Sequence, residues 1–331
     1  MIVVTGGAGF IGSNLLRALN ARGATDILLV DDLNCTAKAR NVKSCKIADR
    51  MDKADFRNRL KSVGALTNIE VIFHQGACSD TTATDTKYVL DNNFTYSKEV
   101  LAYCLQNKVP LIYASSAAVY GVGASFREVP DDESPLNIYA HSKLLFDNYL
   151  REQWGALESQ VVGLRYFNVY GPNEAHKERM ASVAYHFFHQ YKERGHVRLF
   201  EGTDGYGPGQ QRRDFVCVDD IIDVNLYFFE NKELSGIYNV GSGRSQSFND
   251  VALTVINRLR EYASQPAMGL HQLVKQGTIQ YIAVPRGLQG KYQSFTEANL
   301  TRLRGAGYSA PFLSVEEGVR RYVGELLKTT G

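Results

Sequence analysis

The sequence has few of the residues that build disulfide frameworks or metal centres. Its five cysteines (Cys35, Cys45, Cys78, Cys104 and Cys217) are odd in number, lie far apart and form no C-x-x-C pair. This spacing argues against a disulfide scaffold or a Cys/His metal site and is typical of reduced cytosolic thiols. The seven histidines are also scattered. The sequence therefore predicts no metal.

The sequence also lacks long apolar runs and a strong charge of either sign. No run of 18 or more apolar residues occurs, so no membrane span is expected. The N-terminus lacks the basic flank and the small-residue cleavage site of a signal peptide. With 37 Lys and Arg against 35 Asp and Glu, the formal charge is +2. This balance predicts no strong electrostatic attraction to nucleic acid or to membranes.

What the chain does have is a glycine-rich turn near its N-terminus. An apolar run at 1–5 predicts a buried strand. Gly6, Gly9 and Gly12 follow at G-x-x-G-x-x-G spacing, and apolar residues then recur at helical period from Phe10. A strand, a glycine turn and a helix are the setting of a dinucleotide-binding fingerprint. In that setting the pyrophosphate lies at the helix N-terminus, which we expect here.

An acidic residue follows at the expected distance. Asp31 ends a second apolar run at 27–31, where a ribose hydroxyl would be bound. Asp31 and the adjacent Asp32 would repel a 2′-phosphate, whereas Lys38 and Lys53 would attract one. These residues by themselves leave NAD and NADP open.

Tyr139 and Lys143 are candidates for acid–base chemistry. They are four residues apart, which places them on one face of a helix. An ammonium beside a phenol stabilises the phenolate and lowers its pKa. Such a pair can exchange a proton with a hydroxyl being oxidised or a carbonyl being reduced. The same spacing also arises by chance on solvated helices, but the N-terminal fingerprint favours the redox interpretation.

Predicted strands and helices alternate along the chain, which indicates an α/β fold with a doubly wound, Rossmann-type parallel sheet. We expect a dinucleotide-binding domain at 1–170, to which segments near 215–240 return. A smaller substrate domain, mainly 171–331, would be interleaved with it. The predicted strands are 1–5, 27–31, 70–76, 109–115, 160–167, 197–201, 236–240 and 278–284. The predicted helices are near 11–22, 52–62, 85–107, 137–154, 180–194, 219–230, 247–262 and 315–327.

Four further motifs support a family resemblance. They are Ile72-Phe-His-Gln-Gly-Ala77, Tyr113-Ala-Ser-Ser-Ala-Ala-Val-Tyr-Gly121, Arg165-Tyr-Phe-Asn-Val-Tyr-Gly-Pro172 and Arg213-Asp-Phe-Val216. With the glycine turn and the Tyr139/Lys143 pair, the chain resembles the extended short-chain dehydrogenase/reductase family, in its nucleotide-sugar epimerase branch.

That resemblance implies roles for individual residues. It makes Ser116 a hydrogen-bond donor to the reacting oxygen, and Lys143 a ligand of the nicotinamide ribose. It also makes Arg213 a ligand of the nucleotide-sugar diphosphate, which suits the forked donors of a guanidinium. The alternative for Arg213 is a surface salt bridge with Asp214.

The segment 173–187 narrows the resemblance to the enzymes that epimerise ADP-glycero-manno-heptose at C6″. By that resemblance Lys177 is a second acid/base, opposed to Tyr139 across the sugar. The sugar would be oxidised transiently to a 6-keto form and reduced again on its other face. A lysine in this role needs a pKa lowered by burial or by neighbouring cations such as His176 and Arg179. The alternative is an ordinary exposed loop lysine.

The resemblance also favours NADP over NAD and implies an ADP-heptose substrate. It further implies a homo-oligomer, usually a pentamer in such enzymes, and a bacterial cytosolic role in supplying heptose for the lipopolysaccharide core. The residues expected to bind the cofactor are Gly6, Gly9, Phe10, Ile11, Gly12, Asp31, Asp32, Lys38, Lys53, Gln75, Gly76, Ala77, Cys78, Ser79, Asn92, Tyr139, Lys143, Val169 and Lys177. Those expected to bind the substrate are Ser116, Asn168, His186, Phe200, Glu201, Gly202, Thr203, Arg213 and Tyr292.

Three departures from the family pattern bear on the choice among related activities. The stretches 204–212 and 258–277 are longer than expected, and Arg179 stands where a small hydroxyl residue is expected. A UDP- or dTDP-sugar 4-epimerase would share the motifs up to residue 172. A 4,6-dehydratase would carry Asp-Glu where this chain has Ala117 and Ala118. A net oxidoreductase and a non-catalytic NADP-binding sensor also stay open at this point.

Overall fold

The computed structural model describes residues 1–62, 64, 66–285 and 293–330. Its strands are β1 (Ile2–Thr5), β2 (Ile27–Asp31), β3 (Asp49–Asp52), β4 (Val71–His74), β5 (Leu111–Ser116), β6 (Val161–Tyr166), β7 (Asn168–Tyr170), β8 (Val197–Phe200), β9 (Arg212–Arg213), β10 (Phe215–Cys217), β11 (Gly236–Val240), β12 (Gln246–Ser247) and β13 (Ile279–Ile282). Its helices are α1 (Phe10–Ala21), α2 (Thr36–Ala39), α3 (Lys53–Leu60), α4 (Thr86–Leu90), α5 (Tyr96–Asn107), α6 (Ile138–Gln153), α7 (Val183–Arg194), α8 (Val218–Glu230), α9 (Phe248–Tyr262), α10 (Leu270–Lys275), α11 (Thr301–Gly305) and α12 (Val315–Thr330).

A seven-stranded sheet in the order β11-β6-β5-β4-β1-β2-β3 forms the centre of the molecule. All six pairs of neighbouring strands are parallel. The chain moves outward from β1 in one direction through β2 and β3, and in the other through β4, β5 and β6. This is the doubly wound order, and it confirms the predicted fold class. Ligands of such sheets bind beyond the carboxyl ends of the strands, where the direction reverses, here between β1 and β4.

The strands are apolar because both faces of the sheet are covered. Alternate residues of a strand point to opposite faces. Val4 and Leu29 accordingly belong to one buried core, and Val3 and Leu28 belong to another on the other face. All four residues of β1 are buried, which is the pattern of a parallel sheet between two helical layers.

A third core lies in the carboxy-terminal part of the chain. It joins α7, α9 and α12 through residues such as Phe188, Val255 and Val319. The parallel pair of β8 and β13 contributes Val197 and Ile279 to the same core. Meanwhile β11 returns to the large sheet beside β6. The domain boundary near residue 170 stays a prediction.

Several elements differ from the sequence prediction: the short elements β7, β9, β10, β12, α2, α10 and α11 were not predicted, and two further differences lie in the nucleotide-binding half. The edge strand β3 was not expected, because in Asp49-Arg-Met-Asp52 only Met51 is buried and no apolar alternation is visible. The single helix expected at 85–107 is interrupted by a π-helical turn, Asp91–Thr95, between α4 and α5. Such turns are rare and are often found at functional sites.

Within the described ranges, none of the helices combines the length and hydropathy that a membrane crossing requires. Those residues also contain no cluster of three or more His, Cys, Asp and Glu side chains that could hold a metal ion.

Candidate active site

The glycine turn lies at the point where the strand order reverses. Gly6 has φ +65°, a left-handed conformation that glycine adopts without strain. A Cβ at Gly6 would come within 2.6 Å of the Gly76 nitrogen, and a Cβ at Gly12 would collide with the Gly6 carbonyl oxygen. The helix α1 begins at this turn, and no side chain caps its first N–H groups. The turn is therefore a cradle in which a phosphate can approach the backbone closely.

A cleft of about 1040 Å³ runs from this turn along the carboxyl ends of the strands. This volume is at the upper end of the range for ligand sites, which suits a large ligand. The structure brings all the residues assigned to the cofactor together here, although their contacts with a cofactor stay predictions. These lining residues are Gly6, Gly9, Phe10, Ile11, Gly12, Asp31, Asp32, Lys38, Lys53, Gln75, Gly76, Ala77, Cys78, Ser79, Asn92, Tyr139, Lys143, Val169 and Lys177.

Asp31 is buried at one end of the cleft and is already engaged by the protein. Its Oδ2 accepts a hydrogen bond from the Ala8 N–H at 2.9 Å, and its Oδ1 accepts one from Lys38 Nζ at 2.9 Å. Although burial opposes the charge of Lys38, attraction to Asp31 raises its pKa overall. The carboxylate is thus neutralised, so its repulsion of a nearby anion is weakened.

The π-helical turn positions two asparagines in this region. Lys53 Nζ donates to Asn92 Oδ1 at 2.6 Å. Asn93 donates to the Cys78 carbonyl oxygen at 3.0 Å and accepts from the Cys78 N–H at 2.8 Å. It also donates to Ser142 Oγ on α6 at 2.9 Å. Asn93 therefore fixes the loop after β4 against the helix that bears Tyr139 and Lys143.

The predicted acid–base pair lines the middle of the cleft. The helix α6 begins after Asn137, whose side chain accepts from the Ala140 N–H at 2.9 Å. Lys143 Nζ donates to the Ala114 carbonyl oxygen at 2.7 Å. Burial lowers the pKa of Lys143 to about 8, against the attraction of Asp147.

The pKa of Tyr139 differs from the sequence expectation. Proximity to Lys143 predicts a lowered pKa, but desolvation by the surrounding protein raises it. The effect that lowers it is a hydrogen bond with Ser116, which lies at the carboxyl end of β5. The ammonium of Lys143 donates its hydrogen bond to the Ala114 carbonyl oxygen, and the net shift of the Tyr139 pKa is upward.

Lys177 reaches the same cleft from a short 3₁₀ segment, Ala175–Met180. Its ammonium lies 5.1 Å from the centre of the Phe10 ring. Desolvation lowers its pKa, against the attraction of Glu174. Burial, followed by the charges of Lys38 and Lys177, also lowers the pKa of the adjacent His176 to about 4, so this histidine is neutral at pH 7. Lys177 is therefore an amine that loses its proton more readily than a solvated lysine does.

The residues that follow Lys177 form an unusual backbone turn. Glu178 has φ +48° and ψ −120°, a conformation that favours glycine. The next residue, Arg179, forms an ion pair with Asp80 of the loop after β4, at 2.6 Å. Both charged residues line the cleft.

Some of the predicted substrate residues line the cleft and others do not. Ser116 and Asn168 line the cleft. His186 lies beside it, with Nε2 3.3 Å from the Arg179 carbonyl oxygen. The segment 200–203 lies outside the described lining, and Thr203 Oγ1 is 3.1 Å from Ser294 Oγ.

Two more of the predicted substrate residues need separate comment. Arg213 is also outside the described lining; it is buried, with its guanidinium 5.9 Å from the Phe248 ring centre. The surface salt bridge considered for Arg213 does not fit this burial, and the Asp214 carboxylate accepts hydrogen bonds from the N–H groups of Gly243 and Ala298. Tyr292 lies outside the described residues. The substrate roles stay predictions.

Several lining residues were not expected from the sequence. Asp80 and Thr81 directly follow the predicted loop 75–79 and could have been found by extending it. The aromatic and C-terminal residues reach the cleft only through the tertiary fold. The unexpected residues include Asp80, Thr81, Tyr88, Tyr96, Ser115, Tyr166, Phe167, Glu178, Met180, Gln293 and Thr296.

Comparison with known proteins places this geometry in a family. The model of the NAD dependent epimerase/dehydratase family matches residues 2–241. The chain belongs to this family. An ADP-L-glycero-D-manno-heptose-6-epimerase of Thiobacillus denitrificans is 51% identical over 327 residues, which is 99% of this chain and 98% of that protein.

Solved structures of related proteins superpose on nearly the whole chain. The ADP-L-glycero-D-manno-heptose-6-epimerase of Helicobacter pylori is 28% identical with a TM-score of 0.79, covering 98% of this chain and 96% of its own. The UDP-glucose 4-epimerase of Thermus thermophilus, solved in complex with NAD, is 26% identical with a TM-score of 0.76, covering 98% of each chain.

Proposed function

We propose that this family member inverts C6″ of ADP-D-glycero-D-manno-heptose to give ADP-L-glycero-D-manno-heptose. The observation that carries the proposal is the presence of two acid–base candidates, Tyr139 and Lys177, in one cleft. Inversion moves a hydroxyl from one side of a carbon to the opposite side, so one fixed group serves both arrangements poorly. The 51% identical relative that bears the heptose epimerase name supports this substrate.

The residues divide the work of proton transfer. A bound nicotinamide dinucleotide supplies a hydride acceptor that can return the hydride. Tyr139, hydrogen-bonded to Ser116, would hold the proton of the hydroxyl in one epimer. Lys177, with its lowered pKa, would do so in the second epimer. The sugar passes through a 6-keto form, and the net oxidation state does not change.

We further propose NADP as the cofactor. The glycine turn is a cradle that a side chain would fill, which fits a pyrophosphate. Lys38 neutralises Asp31, and Lys53 lies in the same cleft, so the acidic end can accept a 2′-phosphate. NAD is the alternative. Extraction of the bound nucleotide and its mass would distinguish the two, since NADP is heavier by one phosphate.

Competing activities make different demands on the same cleft. A UDP- or dTDP-sugar 4-epimerase would not need Lys177. A dehydratase would need acidic residues after Ser116, where Ala117 and Ala118 stand. A net oxidoreductase would exchange its nucleotide at each turnover, and a non-catalytic NADP-binding sensor would not need the Tyr139/Lys143 pair.

The test combines Tyr139→Phe and Lys177→Met, singly and together, with product analysis by NMR. We expect the wild-type chain to convert ADP-heptose but not UDP-galactose, and each single variant to lose most of this activity. Lys275→Met, at an exposed lysine, is the matched control and should keep it. Near-normal epimerisation by Lys177→Met would refute the two-base scheme. Conversion of UDP-galactose alone would favour a 4-epimerase.

The assembly and the location of the chain also stay proposals. A homo-oligomer, with a pentamer as the expected size, is testable by light scattering of the purified protein. The cytoplasmic location is testable by cell fractionation.

A further inference from the structure

An ion pair connects two walls of the cleft that are far apart in sequence. Asp80 belongs to the loop that follows β4, and Arg179 belongs to the 3₁₀ segment that bears Lys177. An Arg179 guanidinium nitrogen lies 2.6 Å from Asp80 Oδ2. Both residues line the cleft; the Arg179 side chain is exposed and that of Asp80 is partly exposed, so the pair lies where the cleft meets solvent.

The two walls make different contributions to the site. The first wall includes the 75–79 loop, which follows β4 beside the glycine turn, at the point where the strand order reverses. The second presents Lys177 and His176 to the cleft. An ion pair that links these walls limits how far they can move apart. A ligand held between them would then be released more slowly.

The carboxylate of the pair is held by the protein independently of Arg179. Asp80 Oδ1 accepts hydrogen bonds from the Thr82 N–H at 2.8 Å and from Thr82 Oγ1 at 2.7 Å. This leaves Oδ2 directed to Arg179. On the second wall, Arg179 directly follows Glu178, whose backbone has φ +48°. Ordinary exposed pairs contribute little because two flexible side chains must be ordered, and this pair avoids part of that cost.

We propose that the Asp80–Arg179 pair is a latch that slows the escape of the bound dinucleotide. The latch rests on the proposed function, since an epimerase that returns the same hydride must retain its cofactor through both half-reactions. The pair closes one wall of the cleft onto the second, and breaking it lets the walls separate. Arg179 replaces the small hydroxyl residue expected by resemblance, so the latch is a feature of this chain.

The test measures dinucleotide release without any sugar. NADPH fluorescence in stopped flow, with excess NADP as the competitor, gives the dissociation rate for wild type, Asp80→Asn, Arg179→Ala and the double variant. We expect each variant to release NADPH about two- to fivefold faster, which is the effect of losing one exposed pair. The double variant should be no faster than the single variants, because either change breaks the same pair. High salt should accelerate release from wild type more than release from the variants, because only wild type has this ion pair to be screened.

The control is a second exposed pair elsewhere in the chain. Lys108 and Glu158 are 2.9 Å apart, both side chains are mostly exposed, and neither lines the described part of the cleft, so Lys108→Ala should not alter release. Arg179→Lys keeps the charge and should restore slow release in part.

Unchanged release in both single variants would overturn the latch. A raised KM for the sugar with unchanged NADPH release would also overturn it, and would assign Arg179 to the substrate instead. Failure of the wild-type chain to bind NADPH would overturn the proposed cofactor and the latch together. Absence of epimerisation of ADP-heptose by wild type, with the expected NADPH release, would count against the proposed function alone.

Discussion

Replacement of Asp147 by asparagine should destabilise the protein and shift its pH profile. Asp147 is fully buried on α6, one turn after Lys143. Its carboxylate accepts hydrogen bonds from Tyr113 Oη, Ser115 Oγ and Arg165 Nε, each at 2.9 Å. Arg165 is also fully buried and forms a second ion pair with Glu133.

The magnitude follows from the burial of both charges. Removing one partner of a buried ion pair typically costs about 3–5 kcal/mol, because the remaining charge stays buried without compensation. Arg165 retains Glu133 in the variant, and asparagine keeps the volume of aspartate. We therefore expect a loss near the lower end, about 3 kcal/mol. Such a loss is a large part of the typical stability of about 5–15 kcal/mol.

The pH profile gives a readout that simple destabilisation would not change. The negative charge of Asp147 raises the pKa of Lys143, against the burial that lowers it to about 8. If the ammonium of Lys143 is needed for turnover, the rate of wild type falls as the pH rises through about 8. Without the carboxylate, the pKa of Lys143 falls further, so the decline should begin at a lower pH.

Stability is measured by urea unfolding monitored by circular dichroism, and activity by initial rates from about pH 6 to about pH 9. Asp131→Asn removes an exposed carboxylate close in sequence and serves as the control, with no expected effect above about 0.5 kcal/mol. A loss below about 1 kcal/mol for Asp147→Asn would show that the buried charge is compensated in another way. An unmoved alkaline decline would refute the link to Lys143.

Three further changes test separate parts of the structure. Gly12→Ala should weaken NADPH binding about tenfold or more in fluorescence titration, since its Cβ would displace the glycine turn; Gly155→Ala, where a Cβ meets nothing within 4 Å, should not. Glu178→Gly should raise the free energy of unfolding by about 1 kcal/mol, because relief of the backbone strain at Glu178, about 1–3 kcal/mol, outweighs the greater entropy of glycine in the unfolded chain. An equal gain in Glu178→Ala would contradict strain as the cause. Burial and the charge of Lys143 lower the pKa of His74 to about 3, so below about pH 6.5 the folded state binds fewer protons than the unfolded state, and the free energy of unfolding should fall as the pH drops toward 3. His74→Gln should reduce the loss of stability between about pH 7 and about pH 5, measured by urea unfolding, and an unchanged loss would contradict this assignment.

The regular elements were predictable where one local pattern decided them. The buried strands β1, β2 and β4 are continuous apolar runs, and the glycines after β1 follow a spacing whose geometry is local. The doubly wound fold follows from the alternation of such runs with helical segments. The strand β3 was missed because an edge strand needs only one buried side chain, Met51, and so shows no periodicity.

The site was predictable residue by residue only where a motif marks it. The glycine turn, the pair Tyr139/Lys143 and the loop 75–79 each belong to one short segment, and the structure brings them to one cleft. The pKa values were not predictable in this way. Spacing suggests that Lys143 lowers the pKa of Tyr139, whereas desolvation by burial in the folded chain raises it.

The sequence by itself thus determined the fold class and the dinucleotide cradle, because these depend on periodicity and on glycine positions that each act over a few residues; the family followed from the resemblance of several short motifs. Only the tertiary structure decided which charges meet. Asp80 and Arg179 are 99 residues apart and Arg165 and Glu133 are 32 apart, and no local pattern relates the partners of either pair. The physical reason is that an ion pair depends on distance in space and on exclusion of water, and both are properties of the packed chain.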